Sequence, residues 1–160
     1  MVGVQPFSPR ATPSQRQKAI QQLAQELAAD TRPILCGPFR SELGFEALYW
    51  LPFLRWLAKQ VPHFAERACV VTRGGLAPLY APVASRGYDL YALREVTEVR
   101  RENLYDRERT KVSKQMQPTA WDEVVLQDAA KALNLGALYH TVHPAWMYWG
   151  LDPWWSEQVG

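Results

Sequence analysis

Long apolar runs are missing from this chain: no stretch approaches the ~20 residues that a membrane-crossing helix needs, although nearly half of the residues are apolar. Cysteine is scarce, with two in 160 residues. That excludes a disulfide framework, and two thiols cannot complete a zinc site alone. Both sit inside apolar runs, Pro33-Ile-Leu-Cys36 and Ala68-Cys-Val-Val71, and read as small buried hydrophobes of a reducing compartment. A strong charge of either sign is absent. The 18 basic and 16 acidic side chains leave a net +2, too little to draw nucleic acid or a membrane surface by bulk attraction. Met1 to Gln17 holds no apolar segment of the secretory kind, so a cytoplasmic location is expected. A GxGxxG fingerprint, a P-loop, a Ser/His/Asp set and a Cys/His pair are likewise absent.

What the chain does have is the composition of one globular domain, and a heavy aromatic load. Seven Trp, seven Tyr and five Phe are unevenly spread, with Trp146, Tyr148, Trp149, Trp154 and Trp155 crowded near the end. One helical stripe of about 100° cannot turn them all inward. Trp146, Trp149, Trp154 and Trp155 are therefore expected to face a protein partner, a second lobe or another copy of the chain.

Residues 1–12 read as a flexible N-terminus and 13–160 as a single domain. Ile20, Leu23, Ala24 and Leu27 recur at helical spacing, so Pro13 to Asp30 is an amphipathic helix. Ile34 to Cys36 is a short buried strand ending at Gly37. Leu43 to Gln60 is a long helix, with a kink expected near Trp50–Leu51 because Pro52 lacks a donor. Ala68 to Thr72 is a second buried strand. A helix from Leu76 to Arg86 follows, closed by Gly87, and then a strand from Tyr88 to Leu93. Arg94 to Lys114 is a charged, exposed helix or excursion. A further helix opens at Thr119 or Asp122 and runs to Asn134; Ala137 to His143 is a fourth strand, and an aromatic helix follows Pro144. This alternation predicts a Rossmann-like α/β domain: an open, mostly parallel sheet with helices on both faces.

In such sheets ligands sit at the carboxyl ends of strands. The loop from Gly37 to Glu46 is the first candidate, since Gly37 lets backbone approach a ligand and a helix N-terminus follows. At about 100° per residue Glu42 and Glu46 share one side of that helix, with Arg55 and Lys59 on another. The basic side is the solvent face, which points the carboxylates along the sheet or into a cleft. Arg40 is placed to meet a carboxylate or phosphate, or to pair with Glu42. After the second strand, Arg73, Gly74 and Gly75 can form a backbone nest with a guanidinium beside it. His140 and His143 alternate on a strand and do not share a metal; no metal is expected. His143, at the strand's carboxyl end, is placed for a general base.

Three blocks, Gly37-Pro-Phe-Arg-Ser-Glu-Leu-Gly-Phe-Glu-Ala-Leu-Tyr-Trp-Leu-Pro-Phe-Leu-Arg-Trp56, Val70-Val-Thr-Arg-Gly-Gly-Leu-Ala-Pro-Leu-Tyr80 and His143-Pro-Ala-Trp-Met-Tyr148, together resemble a group of bacterial proteins similar to GT-B glycosyltransferases. Those enzymes pair an N-terminal acceptor lobe with a C-terminal lobe for the nucleotide-sugar. The resemblance implies an acceptor-binding lobe, with Glu46 or His143 as base and Arg40 and Arg73 orienting charged groups. It implies a nucleotide-sugar donor only where a second lobe is present. The alternatives are a non-catalytic subunit docking through its Trp-rich end and the Arg94–Lys114 segment, and a small nucleotide-binding protein using the Gly37 and Gly74 loops.

Overall fold

The computed structural model describes residues 11–111 and 115–155, with backbone only at 110 and 153–155. Along the chain run α1 (Pro13–Ala28), β1 (Ile34–Cys36), α2 (Leu43–Phe45), a π-helical turn (Glu46–Trp50), α3 (Leu51–Gln60), α4 (Phe64–Arg67), β2 (Ala68–Thr72), a 3-10 turn (Ala77–Tyr80) and β3 (Arg86–Asp89). Then come α5 (Leu90–Leu93), α6 (Val96–Thr110), α7 (Ala120–Ala132), β4 (His140–Val142) and α8 (Ala145–Trp155).

The sheet order is β3-β2-β1-β4, and every neighbouring pair is parallel. Ile34 lies opposite Ala68 on one side and His140 on the other. The two wholly buried strands, β1 and β2, are the central ones, as a sheet covered on both faces requires. Alternation then divides the core. Ile34, Cys36, Ala68 and Val70 pack with α1, α3 and α8; Leu35, Cys69 and Val71 pack with Leu90, Val99 of α6 and Val125 and Ala129 of α7. The chain is thus a Rossmann-like α/β fold with helices on both faces. Among the described residues no helix is long and apolar enough to cross a membrane.

The aromatic end departs from expectation. Every residue from Val142 to Trp149 is buried. The single-stripe argument fails because α8 is enclosed on more than one side. α1 covers part of it, and Tyr148 stacks on Phe39 and packs against Phe45 at ring-centroid distances of 6.4 and 6.0 Å. A helix apolar all round belongs inside. Trp146 and Trp149 therefore stand in this chain's own core and not on a docking surface; the side chains of Trp154 and Trp155 lie outside the described residues. Arg16 pins the α1–α8 seam. Its Nη1 donates to the Trp149 carbonyl and to Asp152, both at 2.8 Å, and its guanidinium lies 5.3 Å from the Trp149 ring centroid. The spacing 16, 20, 23, 27 puts it on the inner stripe of α1. Thr12 and Gln15 cap that helix reciprocally, and residues 1–10 lie outside the described part.

Other expectations need correcting. Between β2 and β3 there is only the 3-10 turn, not a helix to Arg86; Pro78 and Pro82, four apart, break an α-helical ladder there. Gly87 is not a helix cap but a residue of β3, where a Cβ would meet the Cβ of Ala77 at 2.5 Å. The third strand ends at Asp89, whose carboxylate accepts from the Tyr91 amide and starts α5. β4 is three residues long, not seven. Before Pro52 the helix does not simply kink: the Leu51 amide donates to the Glu46 carbonyl, making the wider π turn.

Trp149→Ala should lower stability by about 3–5 kcal/mol, the usual cost of truncating a buried tryptophan, read from urea unfolding. A loss below about 1 kcal/mol would place that ring at the surface.

Candidate functional site

The chain steps outward from β1 to β2 and β3 and then crosses back to β4, so the strand order reverses between β1 and β4. The loops leaving those two strands flank the reversal, where open α/β sheets bind ligands. Gly37 opens the first loop. Its φ is +126°, and a Cβ there would lie 2.5 Å from the Val71 carbonyl oxygen; only glycine fits. The loop threads between its neighbours: Gly37 donates to the Val142 carbonyl at 2.9 Å and Phe39 to the Val71 carbonyl at 3.1 Å.

Glu46 comes next, delivered by the π turn, and it is 1% exposed. Its Oε1 accepts from the Thr72 hydroxyl at 2.6 Å and the Tyr80 hydroxyl at 2.5 Å. Burial and the Glu46 charge push the Tyr80 phenol far above its ordinary value, which keeps it a donor. Oε2 has no hydrogen-bond partner and lies 3.4 Å from Arg73 Nη1. Arg73 also donates to the Phe39 carbonyl at 2.8 Å and to the Ser41 carbonyl, and its guanidinium lies 5.7 Å from the Phe39 ring centroid. Buried Ser41 and the Tyr148 hydroxyl lie beside this group; burial pushes the Tyr148 phenol up to about 12. The structure thus brings Glu46, Arg73, Thr72, Tyr80, Ser41 and Tyr148 together at the ends of β1 and β2.

A second cluster centres on Arg40, which is 5% exposed. It does not pair with Glu42. Nε and Nη2 donate to Asp122 at 2.8 and 3.2 Å, Nη2 to Asp106 at 2.5 Å and Nη1 to the Asn103 side chain at 2.7 Å. Gln115 accepts from the Arg40 amide and donates to the Pro38 carbonyl. His143 belongs here as well. Its Nδ1 accepts from the Ala145 amide at 3.0 Å, so the proton sits on Nε2, which lies 3.2 Å from Asp122 Oδ2 without hydrogen-bond alignment. With Nδ1 spent on the start of α8 and Nε2 turned to a carboxylate, neither nitrogen offers a lone pair to a substrate. His140, by contrast, pairs with Asp30 at 2.9 Å.

Glu42 is exposed and stands just outside α2 in an extended conformation, so the 100° rule that put it beside Glu46 does not reach it. Gly74 and Gly75 do form a nest, at φ of 61° and 75°, and it holds the chain's own Asp89: the two amides donate to that carboxylate at 3.1 and 2.6 Å. Thr72 belongs to the glycine turn singled out from the sequence, whereas Asp122, Tyr80 and Asn103 are site residues that the sequence pattern does not mark as such. For Asp122 a signal existed, since Thr119-x-x-Asp122 is a capping box and its acid sits on the inward side with Val125 and Ala129. Among the described residues no three of His, Cys, Asp and Glu are grouped to hold a metal ion.

No protein-family model, no curated protein and no solved structure matches the chain.

Burial alone would raise the Asp122 carboxyl, but the facing His143 ring and the Arg40 ion pair outweigh it and bring the pKa down to about 2. A carboxyl lowered in the folded state stabilises above its unfolded pKa, and that contribution is lost as pH falls through the folded one. Stability should therefore drop between the ordinary value of 3.8 and about 2. Asp122→Asn should be less stable at neutral pH and show a shallower decline in that window. Urea midpoints against pH for the two proteins measure it, and parallel curves would show the pair to be inert.

Proposed function

We propose that this chain is the acceptor-binding lobe of a sugar-transfer system, similar in role to the N-terminal lobe of a GT-B glycosyltransferase and acting in the cytoplasm with a donor lobe or partner. One observation carries the reading. At the carboxyl ends of β1 and β2 a buried carboxylate keeps one oxygen, Glu46 Oε2, without a hydrogen bond while the other is saturated. A buried polar atom left bare costs stability unless a partner arrives. A hydroxyl is the fitting partner: Arg73, 3.4 Å away, offsets the carboxylate charge, which favours a neutral polyhydroxyl over a cation. Phe45, the residue before Glu46, is only partly buried and brings an apolar ring beside it.

In transfer, Glu46 Oε2 would take the acceptor's hydroxyl proton as the hydroxyl oxygen bonds to the donor sugar's anomeric carbon, whose bond to the nucleotide phosphate breaks and releases the nucleotide to the donor lobe or partner. Thr72 and Tyr80 hold the other oxygen, so the basic one is fixed in direction. Arg73 orients the loop through the Phe39 and Ser41 carbonyls. The base role passes to Glu46 alone, because His143 has no free lone pair: Nδ1 accepts from the Ala145 amide and Nε2 carries the proton. The nucleotide-binding reading loses its second loop to Asp89, and the docking-subunit reading loses Trp146 and Trp149 to the core. The cytoplasmic part of the proposal rests on Cys36 and Cys69, both free and buried.

Ligand-observed NMR with mono- and oligosaccharides, and separately with nucleotide-sugars, tests this. Saccharides should bind, and Glu46→Gln should weaken them about tenfold or more, the ~1.5–3 kcal/mol of a hydrogen bond to a charged group. Binding of nucleotides but of no saccharide, or unchanged binding by Glu46→Gln, would sink the reading.

A further inference from the structure

The Arg40 guanidinium has two edges in use, and they belong to different parts of the molecule. Nε and Nη2 meet Asp122, which is fully buried and tied to Thr119 at the start of α7. That edge is part of the body, and the Trp121 ring, its centroid 5.2 Å from the guanidinium carbon, adds to it. Nη1 and Nη2 on the other edge meet Asn103 and Asp106 of α6, at 2.7 and 2.5 Å. A helix kept for packing buries an apolar stripe. α6 does not: of its described side chains only Val99 is buried, while Leu104 and Tyr105 are 59% and 58% exposed. Polar attachments of α6 among the described residues also include partly exposed ones, Glu98 with Arg94 at 3.4 Å and with Trp121 at 3.3 Å, and Asn103 with the Arg40 carbonyl at 3.0 Å. α6 is held to the β1 loop by charge more than by burial.

We propose that Asp106, with Asn103, is a built-in stand-in for an oxyanion, and that Arg40 binds an external carboxylate or phosphate group on its outer edge when α6 lifts away. The chemistry supports the exchange. A guanidinium edge recognises carboxylate and phosphate alike through two parallel N–H donors, and Asp106 and Asn103 already offer it two oxygens. Replacing Asp106 by a monoanion leaves the charge of the group unchanged. Asp122 keeps the guanidinium oriented throughout, so the site is formed before the ligand arrives. The ligand and α6 compete for one edge, so each weakens the other by the same factor. This anion site stands apart from the acceptor-lobe reading, and either can fail without the other.

The experiment titrates inorganic phosphate and succinate into the whole chain, into Asp106→Ala and into Asn103→Ala, with chloride at matched ionic strength as control. Amide hydrogen exchange over Val96–Thr110 is followed in parallel. The wild-type chain should bind one of the two anions weakly, and exchange in α6 should rise at saturation. Both variants should bind that anion about tenfold more tightly, inside the ~5–150-fold span of ordinary coupling between sites. Tightening toward phosphate names a phosphate ester as the ligand class; tightening toward succinate names a carboxylate. Arg40→Gln in the Asp106→Ala background should remove the gain. Because that double variant can fail to fold, the two single α6 variants decide. Unchanged affinity for both anions in both, or α6 exchange indifferent to saturating anion, overturns the proposal.

Discussion

Asp122 is the carboxylate on which the arrangement at the carboxyl end of the sheet turns. It is wholly buried, and a charge in that position must be met from several sides or it destabilises the fold. Here it is met by the Arg40 fork, by the amide and hydroxyl of Thr119, and by the facing His143 ring. Those partners come from the loop after β1, from the start of α7 and from the residue after β4. One side chain therefore fixes the two loops at the strand reversal relative to the helix beneath them. Breaking such a buried pair costs about 3–5 kcal/mol, because the orphaned charge stays behind.

The two polar clusters sit on either side of the same short loop and do different work. The Arg40 guanidinium meets Asp122, Asp106 and Asn103 within the chain, so that cluster holds shape in the state described. Around Glu46 the two oxygens differ: Oε1 accepts two hydrogen bonds, while the buried Oε2 accepts none and faces Arg73 at 3.4 Å. The consecutive residues Phe39, Arg40 and Ser41 join them. The Phe39 and Ser41 carbonyls take Arg73 on one side, and the Arg40 side chain takes Asp122 on the other. A disturbance at α6 thus has a short covalent route to the Glu46 group.

The central strands were legible because a run of apolar residues bounded by Gly37 or by Arg73-Gly-Gly has few other uses; both were placed to the residue. So were the start of α1 and the parallel sheet. Local signals misled where tertiary context decides. Leu76 to Arg86 carries helical spacing, yet its two prolines forbid the ladder. Glu42 and Glu46 share a helical face only if the helix includes both, and it starts between them. The nest at Gly74 looked open because its occupant, Asp89, lies fifteen residues on. The aromatic end reads as surface when each helix is granted one buried stripe, and that assumption fails for a helix enclosed by its neighbours. Long-range charge pairing, such as Arg40 with Asp122, leaves no periodic trace at all.

The enclosure of α8 also bears on how the chain reaches this state. The sheet closes by pairing Ile34 with His140, a long way along the chain, and the helix that fills the α1 face follows directly. Contacts of such separation form late, because the loop between them must be ordered first. During synthesis, which runs from the N-terminus, β1 and β2 can pair while the apolar face that α1 and α3 line still lacks α8. That face stays open to unwanted association until the aromatic segment emerges, so the growing chain is most vulnerable just before its most apolar helix is made.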